Sequence, residues 1–251
     1  MASNAEIYLF SDFTRENYSK LIRLAKETYT FRSYMDFKHE ERFVIWRHDV
    51  DISAHSARKL AQIEAQEEVS CTYFLLLHSE FYNLLEKEIT DYVLEIIDLG
   101  HSIGLHFDTN YYGISDQSEL EYWLRFEVKI LEEIFGENIS TFSFHNTTPF
   151  TQNCREWQYA GLINTYADYF QSNVGYCSDS NGYWRFRRLE DVLRDAQDEC
   201  LQVLTHPEWW QDIVMSPKQK IYHCIEHRAI ANKEWYEQIL REFGRYNIDQ
   251  E

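Results

Sequence analysis

Four short segments of this chain combine histidine with carboxylate or amide side chains. They are Arg47-His48-Asp49-Val50-Asp51, His106-Phe107-Asp108, His145-Asn146 and His206-Pro207-Glu208. Imidazole nitrogens and carboxylate oxygens are the ligands that divalent metal ions use in hydrolytic sites, where the ion also activates a water molecule near neutral pH. If the fold brings these segments together, the sequence contains the ligands of a metal site.

Asp49 and Asp51 carry the strongest signal for such a site. They are two residues apart, so in a strand both side chains face the same side. Two ionised carboxylates so close repel each other unless a cation lies between them or one of them holds a proton. The alternative reading is a turn in which the Asp side chains act as caps after the strand. A single histidine such as His106 is likewise compatible with a hydrogen-bonded structural role.

The elements that must position these residues follow an alternating pattern. Residues 43–46, 72–77, 102–106, 141–144 and 201–205 have the composition of buried strands. Helical patterns occur between or after them, at 53–61, 88–99, 116–135 and 217–243. Alternation of this kind predicts an α/β fold with a mostly parallel sheet. The carboxyl ends of parallel strands share one edge, so we expect the four segments at one rim.

The remaining histidines and the cysteines give weaker evidence for a metal site. His101 follows Gly100 at a predicted helix end, where a structural role beside the helix dipole is expected. His223 and His227 have ligand spacing on a helix but no third ligand nearby, and His55 and His78 have no supporting context. The chain has five widely spaced cysteines and no CxxC motif, so we predict free thiols rather than disulfides or a structural zinc site.

Composition narrows the class of protein. The 251 residues are 44% hydrophobic and 16% aromatic, which predicts a globular chain, and we see one domain spanning 1–251. Lys and Arg number 24 against 42 Asp and Glu, a net charge of −18 that argues against nucleic-acid partners. Without a signal segment or a long apolar run, we expect a cytoplasmic protein with no membrane insertion. The oligomeric state stays open.

Five segments, in order, resemble the motifs of the polysaccharide deacetylase family, the NodB-homology or carbohydrate esterase family 4 type, and above all its HDVD branch. They are Arg47-His48-Asp49-Val50-Asp51, Gly100-His101-Ser102-Ile103-Gly104-Leu105-His106, Ser143-Phe144-His145, Ser178-Asp179-Ser180 and Leu204-Thr205-His206-Pro207. The motifs cover about residues 43–210, and 217–243 follows as a peripheral helix. The resemblance implies a distorted, incomplete (β/α) barrel. It also implies a metal-dependent hydrolase that removes an acetyl group from an N-acetylated sugar, in surface glycan biosynthesis.

The resemblance assigns a role to each motif residue. Asp49 matches the general base, Asp51 the metal-binding aspartate and His106 the first metal histidine. His206 matches the acid that protonates the leaving amine, and Asp179 is the partner that orients it. The motifs leave open whether Asp49 and Asp51 hold these roles or the reverse.

Two positions depart from the family pattern. The second metal histidine normally lies four residues after the first, where this chain has Asn110. Either His145 completes the ligand set from another strand, or Asn110 stands in for it, or the metal is weak or absent. The arginine of the third motif is also missing, and Arg47 could replace its charge and keep Asp49 ionised. Zinc is the expected ion, with nickel, cobalt or another first-row divalent ion as alternatives.

Polar and aromatic side chains beside the motifs are candidates for binding an N-acetylated sugar or glycan intermediate. Aromatic faces stack on sugar rings, and we predict substrate contacts from Asn110, Tyr111, Trp184 and Trp210. Ordinary packing is the alternative in so aromatic a chain. Two other functions stay open: a catalytically degenerate barrel that only binds glycan, and hydrolysis of another C–N or amide bond on the same scaffold.

Overall fold

The structure is a computed structural model that describes residues 2–38 and 41–249. Its strands are β1 (Thr30–Phe31), β2 (Phe43–Val50), β3 (Thr72–Leu76), β4 (Ser102–Phe107), β5 (Thr141–Phe144), β6 (Gln158–Tyr159), β7 (Leu162–Asn164), β8 (Gly175–Ser178) and β9 (Cys200–Thr205). Its helices are α1 (Asn4–Ile7), α2 (Arg15–Lys26), α3 (Ala54–Gln66), α4 (Lys87–Asp98), α5 (Thr109–Tyr112), α6 (Gln117–Phe135), α7 (Asp168–Asn173), α8 (Leu189–Asp195) and α9 (Pro217–Glu242). The predicted domain 1–251 includes positions 1, 39, 40, 250 and 251, which lie outside the described residues.

The strands form one curled sheet. Its order is β6-β7-β5-β4-β3-β2-β9-β8, with β1 paired to β2 at the side. The pairs are parallel except for the β6–β7 hairpin. The path begins at β6 and ends at β8, so the barrel does not close. The predicted α/β fold, a distorted and incomplete (β/α) barrel, is confirmed.

Strand β2 shows how the sequence divides between the two faces of the sheet. All eight of its residues are buried, as expected when both faces are covered. Val44 and Trp46 pack into the core beneath the helices, whereas Phe43 and Ile45 pack into a second core on the concave side. By the two-residue period of a strand, Asp49 has the parity of Phe43 and Ile45 and therefore belongs to the concave side.

Four predicted helices are present, although α3 extends to Gln66, beyond the predicted 53–61, and α2 was not predicted. Ser53 caps α3 by accepting a hydrogen bond from the Ser56 amide. Helix α6 ends at Gly136, which has a left-handed φ of 71° that glycine adopts without strain. Helix α9 begins at Pro217, after a capping box between Ser216 and Gln219. These helix predictions are confirmed.

Two features of the strands differ from the sequence predictions, and two further findings concern membrane helices and cysteines. Strand β2 continues beyond residue 46 to Val50, so the RHDVD motif lies largely within the strand. The short strands β6, β7 and β8 had no sequence signal of their own. Within the described ranges, no helix is long and apolar enough to cross a membrane. The five cysteines are free, as predicted.

Candidate active site

The candidate metal ligands come from the ends of three strands. Asp51 follows β2, His106 lies in β4 and His145 follows β5. One ligand atom from each residue lies within 4.8 Å of the other two. His106 Nε2 is 3.0 Å from Asp51 Oδ1, and His145 Nε2 is 3.9 Å from Asp51 Oδ2. The expectation that these strand ends meet at one rim is therefore met in the structure.

The second ring nitrogens of both histidines are already engaged. His106 Nδ1 donates to the Ser143 main-chain carbonyl at 3.2 Å, and His145 Nδ1 donates to Asp108 Oδ2 at 3.2 Å. These bonds leave the Nε2 atoms as the ring nitrogens that face Asp51, as in the outer-shell bonds of metal-binding histidines, and His145 Nε2 also lies 3.1 Å from the Asn146 side-chain amide. Asp51 Oδ1 is buried and has no hydrogen-bond partner among the residues described. This donor set fits a divalent ion.

Electrostatics keeps Asp51 ionised. Burial alone would raise the pKa of its carboxyl, but the neighbouring His106, His206 and His145 outweigh burial and lower the pKa to about 2. Glu208 on the same rim shows the opposite balance, because burial and the charge of Asp51 raise its pKa to about 8. Removing the proton from Glu208 would thus add negative charge to a site that is already rich in carboxylates.

The predicted base, Asp49, is 2% exposed, as is His106, and both are more buried than Asp51 and His145. Its Oδ2 accepts a hydrogen bond from Ser143 Oγ at 3.1 Å and lies 3.5 Å from the Arg47 guanidinium. Arg47 itself donates to Ser143 Oγ at 3.0 Å and to Thr165 Oγ1 at 2.5 Å. Asp49 Oδ1 is buried without a hydrogen-bond partner in the described part of the chain. The arginine thus lies against the carboxylate, with Ser143 bonded to both.

The predicted acid pair occupies the other side of Asp51. His206 Nε2 is 3.9 Å from Asp51 Oδ2, and its Nδ1 donates to Asp179 Oδ1 at 2.7 Å. The main-chain amide of His206 and Trp210 Nε1 also donate to the buried Asp179 carboxylate. Burial disfavours the imidazolium, but Asp179 outweighs this effect and the pKa of His206 rises to about 10. His206 is therefore protonated at neutral pH.

The four predicted substrate contacts separate into two groups. Tyr111 is exposed on α5 at the rim, and Asn110 beside it donates from its amide to Asp108 Oδ1 and to the Asn146 carbonyl. Trp210 is 0% exposed. Trp184 packs on Phe13 and donates to Asp12 Oδ2 at 2.9 Å. Trp210 is thus buried and Trp184 half-buried, and both pack on Phe13, while their contact with substrate stays a prediction.

The sequence reasoning missed two sets of residues. Ser143 and Thr165 hold Arg47, and a small hydroxyl residue gives no sequence signal for such a role. On the opposite face of β2, His48 Nε2 lies 2.6 Å from Glu64 Oε1. Alternation along β2 identifies His48 as facing away from Asp49, but nothing in the sequence indicates its partner on α3.

His48, Glu64 and Cys71 also come close enough to bind an ion. However, Glu64 Oε1 accepts from Tyr18 as well as contacting His48, and Glu64 Oε2 accepts from Tyr73 at 2.6 Å. With both oxygens engaged, this cluster is a closed hydrogen-bond network. His101 belongs to the same region, and its Nε2 bonds the Ala61 carbonyl at 3.0 Å. This is the structural role predicted for it, with a partner on α3.

Comparison with known proteins was made by family, by sequence and by structure. No protein-family model and no curated protein matches the chain. Solved structures do match. The chain is similar to carbohydrate esterases of family 4.

Three of the solved structures illustrate this similarity. A pseudoenzyme of the family from Bacillus anthracis is 15% identical with a TM-score of 0.42, over 76% of this chain and 63% of that one. A family 4 carbohydrate esterase from the same organism is 13% identical with a TM-score of 0.43, over 91% and 87%. The catalytic domain of a peptidoglycan N-acetylglucosamine deacetylase from Eubacterium rectale is 14% identical with a TM-score of 0.45, over 78% and 87%.

Proposed function

We propose that this protein is a metal-dependent hydrolase that removes the acetyl group from an N-acetylated sugar. The observation that carries the proposal is the convergence of Asp51, His106 and His145, with both histidine Nε2 atoms turned toward Asp51. These three residues would hold the ion, and their mixed imidazole and carboxylate donors suit zinc. When bound, the ion polarises the amide carbonyl and lowers the pKa of water.

The remaining residues supply the proton transfers of amide hydrolysis. Asp49 accepts the proton of the attacking water, and its Oδ1 has no hydrogen-bond partner among the residues that the structure describes. His206 carries a proton at neutral pH and donates it from Nε2 to the sugar nitrogen as the C–N bond breaks. The products are acetate and the free amine. Arg47 and Ser143 hold Asp49 in place, and Asp179 does the same for His206.

We also propose that the substrate is an intermediate of surface glycan biosynthesis. The HDVD motif supports this assignment, and the net charge of −18 favours an uncharged sugar over a strongly anionic polymer.

The test combines metal content with acetate release. Protein purified without chelator should contain about one equivalent of divalent metal. The His106→Ala variant should lose the metal, and the His223→Ala variant, which changes an exposed histidine on α9, should keep it. The Asp49→Asn variant should retain the metal and release acetate from N-acetylglucosamine about 10²- to 10⁴-fold more slowly.

Three results would overturn or redirect the proposal. Absence of metal from the wild type, even after zinc, nickel or cobalt is added, contradicts a metal-dependent hydrolase. A bound metal and bound sugar with no acetate release in either wild type or Asp49→Asn would favour the degenerate, glycan-binding alternative. Release of acyl groups from non-sugar amides alone would favour another C–N hydrolysis.

A further inference from the structure

A cavity of about 350 Å³ lies where the barrel does not close. Its walls come from β2, from β8 and β9, and from the segment after β7 that leads into α7. Strands β7 and β8 lie near opposite ends of the sheet path and do not pair with each other, so the cavity occupies the gap between them. Its volume is that of a small-molecule site.

Strand register places this cavity on the concave side of the sheet. Gln202 is the register partner of Ile45 on β2 and of Tyr176 on β8. Ile45 packs into the concave core, and register partners in neighbouring strands project to the same face, so Gln202 and Tyr176 project there too. Arg47, two residues along β2 from Ile45, shares this face. Among the described residues that line the cavity, none is a candidate metal ligand.

Two buried polar residues of the cavity wall each have a hydrogen-bonding atom without a partner. Arg47 is 1% exposed, and its Nη1 donates to Ser143 and Thr165, but its Nε has no partner among the residues described. Gln202 is 5% exposed, and its Oε1 likewise has none in the part of the chain that the structure describes. Unsatisfied buried polar atoms cost stability. An unused donor and an unused acceptor on one cavity wall indicate a ligand that both accepts and donates.

The charge balance and the remaining wall define the rest of this ligand. Arg47 is the one charged residue among the described residues that line the cavity, and its guanidinium already lies 3.5 Å from the Asp49 carboxylate. A ligand carboxylate bound there would be repelled by Asp49, which favours a neutral ligand. Tyr166, Phe170 and Val174 supply aromatic and aliphatic surface, which suits an apolar body.

We propose that this cavity binds a small neutral carboxamide with an apolar body. The carbonyl oxygen of the amide accepts from Arg47 Nε, and its N–H donates to Gln202 Oε1, so one group supplies both missing partners. A ketone of the same shape supplies only the acceptor. A carboxylate lacks the donor and adds a negative charge beside Asp49. This site is separate from the proposed deacetylation and does not depend on the metal.

The experiment compares three probes of matched shape, namely benzamide, acetophenone and benzoate, titrated against the full chain by NMR saturation transfer. Benzamide should bind with a Kd on the order of 1 mM or below, acetophenone about five- to tenfold more weakly, and benzoate more weakly still. Gln202→Leu removes the acceptor at similar volume. Benzamide should then weaken to the affinity of acetophenone, whose own binding should stay within about twofold of the wild type. Gln62→Leu, at a half-buried glutamine on α3, is the matched control.

A second variant locates the binding. Val174→Phe fills part of the cavity, so it should abolish binding of benzamide and acetophenone alike. Retention of full benzamide binding by this variant would place the amide elsewhere and overturn the proposal. If the larger side chain prevents folding, Gln202→Leu alone decides.

Three further results would overturn the proposal. They are binding of no probe to the wild type, tighter binding of benzoate than of benzamide, and an unchanged preference for benzamide over acetophenone in Gln202→Leu. Metal content and acetate release are measured separately, so a failure of this site and a failure of the proposed hydrolase remain distinguishable.

Discussion

At the scale of single residues, the pairing of His206 with Asp179 determines which proton is available. Asp179 is fully buried and accepts from the imidazole, from the His206 amide and from Trp210. With the pKa of His206 raised to about 10 from an ordinary value of 6.5, the imidazolium persists across the neutral range. Asp179 thus keeps His206, the acid in the proposed reaction, protonated even though burial disfavours the imidazolium.

Asp179→Asn tests this pairing. Removal of the negative charge lowers the pKa of His206, so the alkaline limb of the pH profile of kcat/KM should move to lower pH. At pH 7.5 activity should fall about 10²-fold.

The stabilising effect of the raised pKa of His206 is complete below about pH 6.5 and is lost as pH rises toward 10. The Asp179→Asn variant should therefore lose more stability at pH 6 than at pH 10. Asp168→Asn, at an exposed position, is the control. An unmoved alkaline limb would contradict the assignment of His206 as the acid.

The residue scale also shows what the sequence alone could establish. The spacing of Asp49 and Asp51 was sufficient to place both on one face, because alternation in a strand is a local property. The solvent exposure of aromatic residues could not be predicted from such a local pattern. Tyr111 and Trp210 each come shortly after a motif histidine, His106 or His206, yet one lies on the surface and the other in the core. That difference depends on which helix packs over each residue, which is a tertiary property.

At the scale of elements, the junction of β2 with β9 is held from the face opposite the site. His48 and Thr205 are register partners, and Thr205 Oγ1 lies 2.7 Å from His48 Nδ1. Each is followed immediately by a site residue, Asp49 on β2 and His206 after β9. The other ring nitrogen of His48 contacts Glu64 on α3. The network thus joins the strand of the proposed base to the strand of the proposed acid.

Glu64→Gln should reveal how much this junction depends on the network. Burial opposes ionisation of Glu64, but His48 and its other partners outweigh burial and lower its pKa to about 2. Its contribution to stability is therefore present above about pH 4.5 and is lost as pH falls toward 2. At pH 7 we expect a loss of about 3 kcal/mol in the free energy of unfolding, measured with urea. Glu67→Gln, which disrupts the Arg23 ion pair just after α3, should cost less than about 1 kcal/mol. Equal effects of the two substitutions would exclude a special role for the network.

The elements differed in how well the sequence specified them. Helices α4 and α6 carry periodic apolar patterns that end near Gly100 and Gly136, and α9 begins at Pro217, so their positions could be predicted. Strands β6, β7 and β8, near the two edges of the open barrel, have two, three and four residues. Segments that short contain too few alternations to distinguish them from loops, and their pairing partners fix them instead.

At the scale of the whole molecule, the rim of the barrel concentrates negative charge in a protein that is already acidic. The net charge is −18, and Asp49, Asp51 and Glu208 all lie at or beneath the rim. Asp51 keeps its charge, while burial together with the charge of Asp51 raises the pKa of Glu208 to about 8. A divalent cation held by Asp51, His106 and His145 would relieve that repulsion and join the ends of β2, β4 and β5.

Metal binding should therefore stabilise the whole fold, because the ligands come from three strands that lie near the middle of the sheet. Zinc at about 100 times its dissociation constant should add about 2.7 kcal/mol to the free energy of unfolding, and EDTA should lower the Tm. The ligand histidines must be neutral to bind, so the effect should weaken as pH falls. Scanning calorimetry of His106→Ala should show no response to zinc or EDTA, whereas His223→Ala should respond as the wild type does. If His106→Ala and the wild type respond equally, the ion binds elsewhere, and the rim is not the metal site.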